Sequence, residues 1–174
     1  MCAARPNPSV RRMTTIRTHN NCSVPADRVL LAARDFSARR PDVFPAVRAE
    51  HLTVHSRGAN HADVTEGTPA GIGVNWERCF YDWSDGGRVV ATVTDSNVYA
   101  MPGSSWQITA TPADEGSVVE MVWVRRFRRT PRGLFWSTLF ALVGRPIFRS
   151  YARQVVKNIE RLEQSAAHVA PRGA

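Results

Sequence analysis

The sequence predicts an α+β protein, an antiparallel sheet of seven strands packed on one long C-terminal helix. Three observations predict it. From about Val47 to Phe127, apolar residues recur every second position in short runs separated by turn residues. From Thr130 to about Ala167 the period becomes helical. Ahead of both, one β-patterned segment leads into a short helical stretch, which gives a seventh strand and one or two short helices.

The first strand is read in "MTTIRTHNNCSV", with Ile16 as its clearest core residue. "VPADRVLLAARDF" follows, where Pro25 suits a helix start and Val29, Leu30 and Ala33 share one face. The two prolines of "ARRPDVFP" end that helix or split it in two. Six strands are then read in order: "VRAEHLTVHSR", "HADVTEG", "IGVNWERCFYDW", "RVVATVTDSNVYA", "SSWQITATP" and "SVVEMVWVRRF". The turns between them are "GAN", "TPAG", "SDGG", "MPG" and "ADEG", short links that suit a meander.

The last helix starts at Pro131 and carries Pro146 inside "VGRPI". A proline there cannot donate to the carbonyl four residues back, so a kink or break is expected at Gly144–Pro146. Phase adds a reason. With Arg145 at 0° and 100° per residue, Ile147, Phe148, Tyr151, Val155, Ile159 and Leu162 fall between about 200° and 320°. Phe135, Trp136, Leu139, Phe140, Leu142 and Val143 run from about 60° to 220°. A kink would let both apolar faces meet one sheet. Arg145, Arg149, Arg153, Lys157 and Arg161 lie opposite the second stripe, as the solvated side of an amphipathic helix does.

The 174 residues suit one compact domain, read as 13–168, with disordered tails at 1–12 and 169–174. Met13 reads as a start as readily as Met1 does. The net charge of +8 favours anionic partners in general. Cys2, Cys22 and Cys79 form neither a CxxC pair nor a disulfide framework, which suits a reducing, cytoplasmic setting. The N-terminus has no apolar core of a signal peptide, and "LFWSTLFALV" is too short to span a bilayer.

Several chemistries are not signalled. His51 and His55 stand about 13 Å apart on a strand, too far for one ion, and there is no HExxH, so no metal is expected. No GxSxG elbow or phosphate loop occurs, and "GTPAGIG" is a turn between strands, so no cofactor is implied. No helix-turn-helix, zinc or RNA-recognition pattern accompanies the charge, so nucleic acid is not an expected partner. Asp82, Asp95, Tyr99 and Glu120 remain available for acid–base work.

This order of elements resembles the helix-grip fold of the START-like (SRPBCC) superfamily. That group includes birch-pollen-allergen-type proteins, lipid-transfer START domains and polyketide cyclase/dehydrase-like proteins. "TIRTHNNCSVPADRVLLAARD", "PAGIGVNWERCF" and "RLEQSA" carry the resemblance, which spans roughly Met13 to Gln164. It implies a curved sheet wrapped around the C-terminal helix, with a cavity between them for a lipid, polyketide or other apolar small molecule.

Strand alternation then nominates the cavity lining. On "IGVNWERCF" we place Ile72, Val74 and Trp76 inward, which also turns Arg78 and Phe80 in. Trp106 and Ile108, then Val119, Met121 and Trp123, follow on the later strands, and Phe135, Leu139 and Leu142 roof the space. Arg78 on an apolar face needs a partner. It pairs with Asp95 or a ligand oxygen, or else a bulge shifts the alternation and leaves it exposed. The leading expectation is binding of a hydrophobic small molecule. The alternative is a polyketide cyclase/dehydrase-type enzyme, favoured by a cluster of buried polar groups in the cavity and disfavoured by an entirely apolar lining. The basic, aromatic segment Arg125–Trp136 is a further candidate, for docking on an anionic membrane surface.

Overall fold

The computed structural model describes residues 13–71 and 73–169. The two tails and Ile72 lie outside the described residues. β1 (Thr14–Cys22) leads into two short helices, α1 (Ala26–Ala33) and α2 (Arg40–Val43), and a 3₁₀ turn at Ala49–His51. β2 (Thr53–Arg57), β3 (His61–Pro69), β4 (Val74–Asp82), β5 (Arg88–Ser96), β6 (Ser105–Pro112) and β7 (Ser117–Arg125) follow. α3 (Pro131–Val169) closes the chain. The seven strands form one antiparallel sheet in the order β1-β7-β6-β5-β4-β3-β2, so β1 crosses over to pair with the last strand while the other six form the expected meander.

The β7 side of the sheet follows the alternation of its sequence. Val119, Met121 and Trp123 are buried on one face, and across the β6–β7 register Ala110, Ile108 and Trp106 oppose them in pairs. α1 contributes Val29, Leu30 and Ala33 to the same core. The turn from β6 into β7 packs against the end of β1 and needs glycine at 116, where φ is +81° and an added Cβ would sit 2.1 Å from the Cys22 carbonyl oxygen.

α3 is a single helix of 39 residues, so the break expected at Gly144–Pro146 is absent. The carbonyl that Pro146 leaves without a donor belongs to Leu142, an exposed residue where water can take the bond. Gly144 is buried, with its Cβ position 3.1 Å from the Phe140 ring and 3.4 Å from Ile16 Cδ1, so the helix runs close to β1 there. The C-terminal half of α3 is clamped onto the β1–α1 corner. Val155, Val156 and Ile159 are buried, Glu160 accepts from Ser23 N at 2.8 Å and Ser23 Oγ at 3.0 Å, and Arg28 pairs with Glu163. Arg145, Arg149, Arg153, Lys157 and Arg161 all face outward, as the periodicity predicts.

Because the helix does not break, the phase conflict in its first half is settled by exposure. Leu134, Phe135, Leu142, Val143 and Ile147 are all exposed, while Trp136, Leu139, Phe140 and Phe148 turn toward the sheet.

Candidate functional site

A cavity of about 320 Å³ lies between the inner face of the sheet and the first half of α3. Trp76, Trp106, Met121 and Trp123 form its wall, Phe44 and Val47 come from the α2–β2 connection, and Trp136, Leu139, Phe140 and Phe148 form its roof. Aromatic edges tie roof to wall. Trp123 meets Phe148 at 4.8 Å, Phe140 meets Phe148 at 5.0 Å, and Phe127 meets Phe140 at 5.3 Å between ring centres.

Of the residues nominated from the sequence, Trp76, Trp106, Met121, Trp123 and Leu139 line this space. Val74, Arg78, Ile108, Phe135 and Leu142 are not among its lining residues. Ile108 is fully buried in the core. Phe135 and Leu142 point away from the roof, being 63% and 76% exposed. Val74 offers its carbonyl oxygen to Arg132 at 3.0 Å.

The inward orientation expected of Arg78 and Phe80 is reversed. Glu77, Cys79 and Tyr81 are the inward members of β4, in unbroken register with Glu66, Val64 and Ala62 of β3, and the shift in the β4–β5 register falls on β5, where Thr94 is the extra residue. Arg78 lies on the outer face, half-exposed, and pairs with Asp63 rather than Asp95, its Nε donating to Asp63 Oδ1 at 2.8 Å. That bond and the guanidinium charge hold the Asp63 carboxyl below its usual range. Phe80 stacks on His61 outside the sheet.

Two polar groups that the sequence reading did not nominate face the cavity instead. The first is an ion pair. Arg125 Nη1 donates to Glu77 Oε2 at 2.9 Å and Nη2 to Oε1 at 3.3 Å, with both side chains largely buried. The Arg125 guanidinium sits 4.3 Å above the Tyr99 ring, and its Nε has no hydrogen-bond partner. Burial works against the Arg125 charge, but Glu77 and Tyr99 more than offset it and hold the group protonated. Burial pushes the Glu77 carboxyl up, and Arg125 only partly offsets this.

The second group centres on Glu66. It accepts from Arg40 Nε at 2.7 Å and from the Tyr81 hydroxyl at 2.7 Å. Arg40 is fully buried, donates also to the Ala33 carbonyl at 2.6 Å, and is stacked over Phe36 and Phe44. Tyr99 and Tyr151 add phenols to the lining, and burial pushes both up, which keeps them neutral O–H donors.

Alternation carried a signal for these residues. Ala62, Val64 and Glu66 share a face of β3, and Val119, Met121, Trp123 and Arg125 share a face of β7. Arg40 has no such signal, since α2 is a single turn placed by tertiary packing.

The two thiols among the described residues offer no nucleophile. Cys22 and Cys79 are both buried, and burial pushes both up. Among the described residues, no group of three or more His, Cys, Asp or Glu is arranged to hold a metal ion, and no helix is long and apolar enough to cross a membrane.

Neither a protein-family model nor a curated protein matches the chain in sequence. Solved structures do match its fold. The Zhui aromatase/cyclase from Streptomyces sp. R1128 superposes with a TM-score of 0.70 at 15% identity, over 94% of this chain and 100% of that one. TTHA0849 from Thermus thermophilus gives 0.68 at 15% identity, over 84% and 97%. A START superfamily protein from Mycobacterium smegmatis gives 0.58 at 10% identity, over 87% and 97%. The chain therefore has the START-like helix-grip fold that its order of elements resembles.

Proposed function

We propose that the chain binds an apolar small molecule, lipid-like or polyketide-like, that carries at least one oxygen acceptor, in the cavity beneath α3. The observation that carries this reading is Arg125. Its guanidinium lines an aromatic cavity, is paired to Glu77 through Nη1 and Nη2, and has further N–H bonds on those two nitrogens. A carbonyl or phenolic oxygen of a ligand is an acceptor for them. The cavity volume is near the lower end of the roughly 300–1,000 Å³ typical of small-molecule sites, which favours one compact ligand over a two-chain phospholipid.

The test is a titration with anilinonaphthalene sulfonate, followed by competition with a hydroxylated anthraquinone and with its unsubstituted parent. The hydroxylated compound competes better on the native protein, and Arg125→Met removes that preference while retaining probe binding. Equal competition by both compounds on the native protein refutes the role given to Arg125.

A second reading, a polyketide cyclase/dehydrase-type enzyme, is favoured by the buried polar cluster of Glu66, Glu77, Arg125, Tyr99 and Tyr151 in the lining. The match to an aromatase/cyclase supports it. In this reading Arg125 holds a substrate carbonyl, and Glu77, when ionised, takes a proton from the adjacent carbon. The C–H electron pair moves to the oxygen facing Arg125. The resulting enolate carbon attacks a second carbonyl of the same chain. Tyr99 or Tyr151 supplies a proton to the new alkoxide, and Glu77 returns its proton to the phenolate. Ring formation from a linear poly-β-ketone thioester, followed by ultraviolet absorption and lost in Glu77→Gln, is the expected outcome. No ring formation by the native protein leaves binding as the function.

A further inference from the structure

The outer face of the first half of α3 carries large apolar side chains that the fold leaves uncovered. Five of the nine large hydrophobic residues exposed among the described residues lie in its stretch 134–147, and Leu142, Phe135 and Leu134 are 76%, 63% and 60% exposed. Leu134, Phe135 and Leu142 share one side of the helix, and Val143 and Ile147 stand off it. Phe135, Leu142 and Arg149 follow one another at spacings of seven, with Leu134, Thr138 and Arg145 filling the same side, so one helical face is apolar in its first half and basic in its second. A face of this kind on a protein surface marks an interaction site.

Cations ring this face. Arg128 and Arg129 are exposed just before the helix, and Arg145 and Arg149 are exposed along it. None of the four makes an ion pair among the described residues. Two other arginines of this region are already engaged. Arg125 is buried on Glu77, and Arg132 donates to Asn75 Oδ1 and to the Val74 carbonyl. Of the segment 125–136 expected from the sequence, Arg128, Arg129, Leu134 and Phe135 are exposed, and Arg145 and Arg149 extend the basic surface along the helix.

We infer that this face docks the protein on an anionic phospholipid bilayer, with Leu134, Phe135 and Leu142 entering the headgroup–acyl boundary and the four arginines meeting lipid phosphates. Charge selects this occupant over a second copy of the chain. From Pro131 to Ile159 the helix contains no aspartate or glutamate, so a symmetric pairing of two such faces sets arginines against arginines with no acid to relieve them. A bilayer rich in anionic lipid supplies the opposite charge and an apolar layer at the right depth. Leu139, four residues after Phe135 on the same helix, lines the cavity, so the docked surface borders the ligand site. The inference stands whether the cavity carries a ligand or acts on one.

The test is co-sedimentation of the full chain with vesicles of phosphatidylcholine alone and of phosphatidylcholine mixed with phosphatidylglycerol, with the solution mass measured in parallel. The native chain sediments with the anionic vesicles at low salt and not with the neutral ones. Phe135→Ser with Leu142→Ser lowers partitioning by about tenfold or more. Arg145→Gln and Arg149→Gln each lower it by about fivefold at low salt. All four positions are exposed, so these variants fold. No sedimentation of the native chain overturns the inference, and so does binding that is unchanged in the Phe135/Leu142 variant. A dimer in solution that dissociates on the same two substitutions overturns the bilayer as occupant and assigns the face to self-association.

Discussion

Arg125 on β7 grips Glu77 on β4 across two intervening strands, with Nη1 2.9 Å from Oε2. On a flat sheet, strands three places apart are separated by ~14 Å. The two long side chains reach across that width and meet over the inner face of the sheet, where both line the cavity.

Breaking that pair is costly. Arg125→Met leaves Glu77 buried without its cation and lowers stability by about 3–5 kcal/mol in chemical denaturation, whereas the double change to apolar residues recovers most of the loss. The pH dependence has a definite sign. The folded protein raises the Glu77 carboxyl, so it holds that proton more tightly than the unfolded chain does. The resulting stability is present at low pH and is lost as pH rises from the ordinary carboxylate value through the raised one. Arg125 opposes the shift, so Arg125→Met steepens the loss and Glu77→Gln abolishes it.

The Arg40–Glu66–Tyr81 cluster reads out separately. Tyr81→Phe removes one hydrogen bond to Glu66 and costs about 1.5–3 kcal/mol. Arg40→Met strands Glu66 and costs more, about 3–5 kcal/mol. Shifts in denaturant midpoint at unchanged slope are the measurement that checks both.

Two leucines three residues apart on α3 separate cavity from surface. Leu139→Trp fills the cavity and abolishes fluorescence enhancement of anilinonaphthalene sulfonate with a stability change of about 1–3 kcal/mol. Leu142→Trp, on the outer face, leaves probe binding intact.

Pro146 stands inside a continuous helix and withholds one backbone hydrogen bond. Pro146→Ala raises the melting temperature, by a stabilisation of up to about 3 kcal/mol, with probe binding unchanged.

Element order and the β7 parity were legible because each rests on local periodicity. The strands read from the sequence form in their expected order, and Trp106, Met121 and Trp123 line the cavity as their alternation implies. β4 was ambiguous at the residue level. Trp76 and Phe80 favour one face, Cys79, Tyr81 and Trp83 the other, and the register with β3, which sets Cys79 beside Val64 and Tyr81 beside Ala62, decides between them. Arg125 continues the buried parity of β7, yet its neighbours Arg126, Arg128 and Arg129 made it read as part of a basic, membrane-docking segment. Its burial depends on Glu77, on a strand that comes much earlier in the chain, and no local pattern encodes that meeting. The exposed face of α3 followed from phase, but its fate depended on whether the helix broke at Pro146, which is settled by packing of the whole element.

The most direct measurement is native mass spectrometry of the purified protein, followed by denaturing extraction and analysis of whatever is released. The cavity is expected to retain one apolar, oxygen-bearing small molecule in equimolar amount, and to lose it in Leu139→Trp. A protein that carries nothing, and that Leu139→Trp leaves unaltered in its binding of anilinonaphthalene sulfonate, contradicts a ligand site between the sheet and α3.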